Sequence, residues 1–189
     1  MDVVSRTGSY GDNSNDREEL LKRVIQARAG DAEAFEALVT MTLSYTRKLA
    51  ISLVGPNHCD DVVQESYLLV YRKLSQLKKE EAFTGWLCRL VRHVAYRFRD
   101  TNPEHLELKR LAGTTTAPQE RVLSAMVLEQ DLNQLTWKDR EVLVLRELLS
   151  LSYSEISVAL QWPEGTVRSR LHKARKNLAS VLVETEDTG

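Results

Sequence analysis

The residues best suited to binding chemistry are basic side chains near the C-terminus. No acidic residue occurs between Gly165 and Val183. The same stretch carries five cations, which are Arg168, Arg170, Lys173, Arg175 and Lys176. A helix face of guanidinium and ammonium groups is suited to binding phosphates and the edges of DNA bases.

The apolar residues of this segment predict which basic residues are exposed. Four of them repeat at i, i+4, i+7 and i+11 and must face a core: Val167, Leu171, Ala174 and Leu178. The opposite face then carries Arg168, Ser169, His172, Lys173 and Lys176. A solvated face of an ordinary helix bundle is the plainer alternative. That alternative is disfavoured because solvated helices usually intersperse both charge signs.

The preceding elements complete a helix-turn-helix. Thr136 and Asp139 predict a cap that opens a helix to about Leu149, with Val142, Leu145 and Leu148 facing inward. Ser152 and Glu155 have capping-box spacing and begin a short helix that ends near Leu160. Gln161 and Trp162 form the turn, and Pro163 is suited to the first turn of the next helix. This arrangement places a recognition helix in the major groove of double-stranded DNA.

The N-terminal half predicts a second helical domain. Helices are expected over residues 16–29, 32–54, 60–77 and 82–99. Gly30 ends the first and Asp31 caps the second, residues 55–57 form a break before the third, and a polar, charged loop over residues 78–81 precedes the fourth. Val63, Tyr67, Val70 and Leu74 face inward on the third of these, because they repeat at helical spacing. The opposite side of that helix carries Asp60, Asp61, Gln64 and Glu65. An exposed acidic face suits a basic partner, and solvation with capping by Asp60 is the alternative.

The fourth helix, residues 82–99, has no acidic residue and carries Arg89, Arg92, Arg97 and Arg99. Its buried face consists of Phe83, Trp86, Leu87, Leu90 and Val94. The net charge of −1 therefore hides separate basic and acidic patches. A protein with such patches can hold nucleic acid on one face and a basic partner on another.

Composition predicts an all-α chain of two small domains joined by a flexible linker. Helix-forming residues dominate, and residues 100–118 contain Pro103, Gly113 and Pro118 without a sustained helical pattern. The expected organisation is a disordered leader over 1–15, domains over 16–99 and 119–183, and an acidic tail over 184–189. No apolar run reaches the length of a bilayer span, so a cytoplasmic location is expected.

Few features of the sequence suggest an enzyme. The four histidines are scattered, and paired carboxylates and a glycine-rich phosphate loop are missing. Cys59 and Cys88 are far apart and have no metal-ligand spacing, so they are expected to be small buried or half-buried thiols. The prediction is a binding protein with no catalytic residue, metal or cofactor.

Three segments resemble the extracytoplasmic-function (ECF) group of bacterial sigma factors, in the order found in that family. Residues 163–175 and 140–146 are similar to sigma region 4, residues 60–67 to region 2.2, and residues 82–87 to the start of regions 2.3 and 2.4. The resemblance spans about residues 16–182. It implies a sigma region 2 helical bundle, a sigma region 4 helix-turn-helix, and an alternative sigma factor that recognises −10 and −35 promoter elements.

The resemblance also implies roles for individual residues. The expected contacts of the −35 element are Arg146, Arg168, Ser169, His172 and Lys173. The expected contacts of the −10 region are Arg89, Arg92, His93 and Arg97, with a flipped base held near residues 78–84. His93 stands where the family usually has Asn, and Arg97 where it often has Asp. The expected contacts of the core RNA polymerase β′ clamp coiled coil are Asp60, Asp61, Gln64 and Glu65.

Further partners follow from the same resemblance. The region-4 domain is expected to bind the β flap of core RNA polymerase. Promoter DNA is the nucleic acid that the protein is expected to bind. A cognate anti-sigma factor, often membrane-bound, is expected to hold the protein inactive until a stress or envelope signal arrives. The alternative function is a stand-alone helix-turn-helix regulator that binds an operator as a dimer, which leaves the acidic face without a role.

Overall fold

The computed structural model describes residues 14–101 and 135–186. Every regular element in this part of the chain is helical, in agreement with the predicted all-α class. Residues 1–13 of the predicted leader, the predicted linker beyond Thr101, the first part of the domain predicted over 119–183 and the end of the acidic tail lie outside the described residues. Ser14 and Asn15, which were predicted to belong to the leader, begin the first helix. Within those described ranges, no helix is long and apolar enough to cross a membrane.

The N-terminal domain consists of four α-helices. They are α1 (Ser14–Arg28), α2 (Ala32–Val54), α3 (Cys59–Lys73) and α4 (Phe83–Thr101). Short 3₁₀ turns at Pro56–His58, Leu74–Gln76 and Glu80–Ala82 join the last three. The predicted cap of α2 is confirmed, because the Asp31 side chain accepts a hydrogen bond from the Ala34 amide at 3.0 Å.

The core of this domain lies where α2, α3 and α4 pack on one another. Its largest fully buried side chains include Leu38, Leu49, Val70, Phe83 and Leu87. The four residues predicted to face inward on the third helix are all buried, although the last of them, Leu74, lies in the 3₁₀ turn that follows α3. Both cysteines are free and buried, as predicted. Burial raises the pKa of the Cys88 thiol to about 12.

The described part of the C-terminal domain contains three α-helices. They are α5 (Trp137–Leu143), α6 (Tyr153–Leu160) and α7 (Glu164–Glu186). Thr136 caps α5 by accepting a hydrogen bond from the Asp139 amide, and Ser152 and Glu155 form the predicted capping box of α6. Gln161 ends α6 in the left-handed conformation, which produces the tight turn before Pro163. The predicted helix-turn-helix is thereby confirmed.

The prediction that Leu148 faces inward is wrong. A π-helical turn, Val144–Leu148, follows α5, and the Leu149 amide donates to the Val144 carbonyl at 3.0 Å. A π-helical turn contains more residues than an α-helical turn. The buried position at the end of this segment is therefore shifted by one residue along the chain. Leu149 is therefore buried at 4% exposure, whereas Leu148 is 47% exposed. Val142 and Leu145 are buried as predicted.

The buried hydroxyl of Tyr67 links α3 to α2. It lies 2.8 Å from the Thr42 hydroxyl and donates to the Thr46 hydroxyl at 3.1 Å, and both threonines are fully buried. We expect Tyr67→Phe to lower the free energy of unfolding by about 1–2 kcal/mol, because a buried polar group then loses its partner. Urea denaturation measures this change. The control is Tyr71→Phe at a 68% exposed position on the same helix, and equal stability of the two variants would contradict the prediction.

Candidate nucleic-acid interface

The outward face of α7 carries the residues predicted to contact the −35 element. Arg168, Ser169, His172 and Lys173 are all exposed there, while Val167, Leu171 and Ala174 on the opposite side are buried. The three buried residues pack against the core that α5 and α6 complete. This packing fixes the rotation of α7 about its axis. The basic face is therefore presented as a rigid surface, which is the geometry that major-groove recognition needs.

Two basic residues of the helix segment are directed elsewhere. Arg170 lies beside the buried Asp139 carboxylate at 3.9 Å, and its guanidinium is 5.9 Å from the centre of the Trp162 ring. Arg175 pairs with Glu147 at 2.7 Å on the surface. Both side chains thus tie α7 to neighbouring elements of its own domain. Arg168 and Lys173 remain as the cations on the outer face that were predicted to contact the −35 element.

Tyr153, the first residue of α6, was not identified from the sequence. Its ring lies 5.3 Å from the Arg146 guanidinium and 5.8 Å from that of Arg168. Arg146 also donates to the Leu151 carbonyl at 2.7 Å. The ring therefore brings together two arginines that are 22 positions apart in sequence. The sequence feature that could have identified Tyr153 is the presence of an aromatic residue inside the Ser152–Glu155 capping box.

The predicted −10 residues on α4 do not form one surface. Arg89, His93 and Arg97 are exposed along one stripe of the helix. The Arg92 side chain is only 13% exposed, because it points into the contact between the two domains. Trp86, predicted to be core, is half-buried and packs against Phe83 at 6.2 Å between ring centres. The −10 roles of all four basic residues stay predictions.

Arg92 makes a set of hydrogen bonds that crosses between the domains. Its Nε and Nη2 atoms donate to the two carboxylate oxygens of Glu141, and Nη1 donates to the carbonyl of Ala159 near the end of α6. The Tyr96 hydroxyl donates to the same Glu141 carboxylate at 2.7 Å. Such two-pronged arginine–carboxylate pairs are strong and geometrically specific. Arg92 therefore joins α4 to both α5 and α6.

Burial and charge act in opposite directions on this cluster. Burial alone lowers the pKa of Arg92, but the hydrogen bonds and charge of Glu141 outweigh it and raise the pKa overall. Burial raises the pKa of Tyr96, and the charge of Glu141 raises it further. The guanidinium consequently stays charged and the phenol stays protonated near neutral pH. Both groups remain donors to Glu141.

The acidic residues predicted to bind the polymerase clamp are all exposed on α3. Asp60 pairs with Arg47 of α2, and Glu65 pairs with Arg97 of α4 at 3.3 Å. Leu68 and Tyr71 lie on the same helix and are 51% and 68% exposed. Exposed ion pairs contribute about 0–1 kcal/mol each. A basic partner can therefore replace Arg47 and Arg97 at little cost.

These observations define a class: a helical protein with a helix-turn-helix, a second arginine-bearing domain and a separate acidic face. Comparison with known proteins specifies the class further. Residues 34–102 match the family described as Sigma-70 region 2, and residues 126–178 match the family described as Sigma-70, region 4.

Relatives that align with most of the chain are also sigma factors. The RNA polymerase sigma-H factor of Pseudomonas aeruginosa is 32% identical over 186 residues, covering 87% of this chain and 93% of that protein. The ECF RNA polymerase sigma factor SigW of Bacillus subtilis is 28% identical over 178 residues, covering 85% and 95%. The solved structure of CnrH in complex with the cytosolic domain of CnrY has a TM-score of 0.68 at 26% identity, covering 88% and 98%.

The chain therefore belongs to the ECF group of the sigma-70 family. Its function is that of an alternative sigma factor, which directs promoter-specific initiation by RNA polymerase. The interpretation as a stand-alone dimeric regulator is not favoured, since both sigma regions match in the family order.

Arg168 offers a direct test of the α7 surface. We expect Arg168→Ala to weaken binding of the polymerase–sigma complex to its promoter by about 1–3 kcal/mol and to relax the −35 preference, because a two-pronged contact to a base is lost. Anisotropy titrations on promoters with single −35 substitutions measure this. Arg175→Ala, on the same helix but paired with Glu147, is the matched control. An equal loss on every sequence would show a phosphate contact and contradict base recognition.

Proposed function

We propose that the two domains contact a promoter at two separate elements while α3 binds core RNA polymerase. In this proposal the exposed residues of α7, together with Arg146, contact the −35 element. Arg89, His93 and Arg97 of α4 contact the −10 region, with Arg92 joining them when the domains separate. The observation that carries the proposal is the outward basic face of α7 on a completed helix-turn-helix.

The acidic face supports polymerase binding. Asp60, Asp61, Gln64 and Glu65 are exposed together, and the neighbouring Leu68 and Tyr71 add apolar surface. A basic coiled coil of the β′ clamp would meet the carboxylates, and its apolar side chains would cover Leu68 and Tyr71. Complementary charge of this kind favours rapid and correctly oriented association. The β flap is the proposed second contact of polymerase, on the C-terminal domain.

Regulation by a protein partner belongs to the same proposal. CnrH was solved in complex with the cytosolic domain of CnrY, which supports a comparable partner here. The family resemblance makes that partner an anti-sigma factor, released in a stress or envelope response. The protein is proposed to act in the cytoplasm by binding alone, without catalysing a reaction itself.

The decisive experiment adds purified protein to core polymerase on a promoter library. The expected result is a set of transcripts that depend on the protein and share −35 and −10 sequences. Lack of such transcripts together with lack of core binding would overturn the proposal. A gel shift with free protein, expected to be weak, separates it from a stand-alone regulator, which binds its operator tightly.

The clamp surface has its own prediction. Asp61→Lys should weaken binding to core polymerase about tenfold or more, because like charges opposed at an interface cost several kcal/mol. This substitution leaves the Arg47–Asp60 and Arg97–Glu65 pairs in place. Surface-plasmon resonance on immobilised core enzyme measures the affinity. Glu36→Lys, which reverses an exposed charge on α2, should bind like the wild type, and equal losses in the two variants would refute a local contact.

A further inference from the structure

Tyr153 lies between two residues that the proposed function assigns to the −35 element. The guanidinium of Arg146 is 5.3 Å from the centre of its ring, and that of Arg168 is 5.8 Å away. Arg146 belongs to the π-helical turn after α5, whereas Arg168 belongs to α7. A guanidinium within about 6 Å of an aromatic ring is attracted to the face of that ring. One side chain of α6 therefore contacts cations from two other elements.

The capping box fixes the position of this ring. The hydroxyl and the amide of Ser152 donate to the Glu155 carboxylate at 2.7 and 2.8 Å, and the Glu155 amide donates back to the Ser152 hydroxyl at 3.2 Å. Tyr153 follows directly as the first residue of α6. Its side chain is half-buried against the core that contains Leu151 and Ile156. The ring is therefore attached to a backbone that cannot turn without unpacking α6.

The two arginines are restrained to different degrees. Arg146 is half-buried, and its Nη1 atom donates to the Leu151 carbonyl at 2.7 Å. Arg168 is exposed, and within residues 14–101 and 135–186 no carboxylate or carbonyl accepts a hydrogen bond from its guanidinium. In that part of the chain the contact with the Tyr153 ring is therefore what restrains the Arg168 guanidinium.

A ring restrains an arginine without occupying its donors. The guanidinium carries five N–H groups in a planar fork. A carboxylate partner engages some of them, as Glu147 does with the Nε and Nη2 atoms of Arg175. The ring face attracts the positive charge alone, so the donors of Arg168 stay available for a base edge such as O6 and N7 of guanine. A restrained side chain also loses less conformational freedom on binding, which favours affinity.

We propose that Tyr153 is a positioning residue for −35 recognition, whose ring face holds the guanidiniums of Arg146 and Arg168 in place before DNA binds. Tyr153 acts through these arginines and through its ring, not through its hydroxyl. The inference rests on the proposed function, because the two arginines are taken to contact the −35 element. It extends that function by explaining how residues 22 positions apart in sequence are presented to DNA as one group.

Tyr153→Leu and Tyr153→Phe in the polymerase–sigma complex test the role of the ring. Leucine keeps an apolar side chain against the core but has no aromatic face, whereas phenylalanine loses only the hydroxyl. Contact with an exposed ring favours the held conformation of an arginine about two- to fivefold, so Tyr153→Leu should weaken promoter binding about fivefold. It should also reduce discrimination against substituted −35 bases, while Tyr153→Phe matches the wild type. Anisotropy titrations on promoters with single −35 substitutions measure both quantities.

A positioning role also predicts coupling between Tyr153 and Arg168. In an Arg168→Ala background, Tyr153→Leu should weaken binding only about twofold, because Arg146 alone remains to be held. Trp162→Leu is the matched control. It removes the ring beside Arg170, which is directed toward Asp139 and away from the outer face of α7, so −35 discrimination should not change. Circular dichroism checks that each variant keeps its helical content.

Side-chain NMR of the free protein detects the contact without promoter or polymerase. Protons above an aromatic ring resonate upfield, so the Hδ and Hε protons of Arg146 and Arg168 should be shifted in the wild type and in Tyr153→Phe. These shifts should disappear in Tyr153→Leu. The signals of Arg170, which contacts Trp162, should be the same in all three proteins.

Several results would overturn the positioning role. They are wild-type discrimination in Tyr153→Leu, arginine signals that do not move in that variant, strictly additive losses with Arg168→Ala, and an equal loss of discrimination in Trp162→Leu. A loss in Tyr153→Phe as large as that in Tyr153→Leu would show that the hydroxyl acts, which also contradicts the proposal. The proposed function fails separately, if wild-type protein with core polymerase gives no promoter-dependent transcripts. The NMR comparison would then still decide whether the ring holds the two arginines.

Discussion

The burial of α4 on two opposite sides is the constraint on which the other features depend. One side is apolar and belongs to the N-terminal core, where Leu87 and Val94 are almost fully buried. The other side meets α6 through a glycine and a hydrogen-bonded arginine. The first contact stabilises a domain, whereas the second places one domain against another. The positions of Arg89, His93 and Arg97 follow, because only the stripe between these two contacts remains exposed.

The second contact contains a buried ion pair between Arg92 and Glu141. Compared with apolar packing, a buried ion pair adds little net stability, because desolvating both charges offsets their attraction. Removing one partner alone costs about 3–5 kcal/mol, since the other charge stays buried and unpaired. When the domains separate, Arg92 and Glu141 are both rehydrated and this penalty does not arise.

The predictions from sequence were correct where the environment of a residue is determined by the periodicity and caps of its own helix. Periodicity and caps predicted the bounds of α2, the capping box at Ser152 and the exposed face of α7. Leu148 was predicted incorrectly, because a π-helical turn changes the period without a residue type that marks it. Arg92 was predicted to be exposed because it lies opposite the face of α4 that packs in the N-terminal core. Its partner Glu141 is 49 positions away, and no local pattern encodes a contact between two domains.

Covalent connection also helps to hold the two domains against each other. Two domains on one chain meet at an effective concentration of the order of millimolar, so a weak contact is enough to keep them together. The exposed pairs Arg47–Asp60 and Arg97–Glu65 lie outside the contact between the domains. The acidic face is therefore exposed while the two domains are packed on each other.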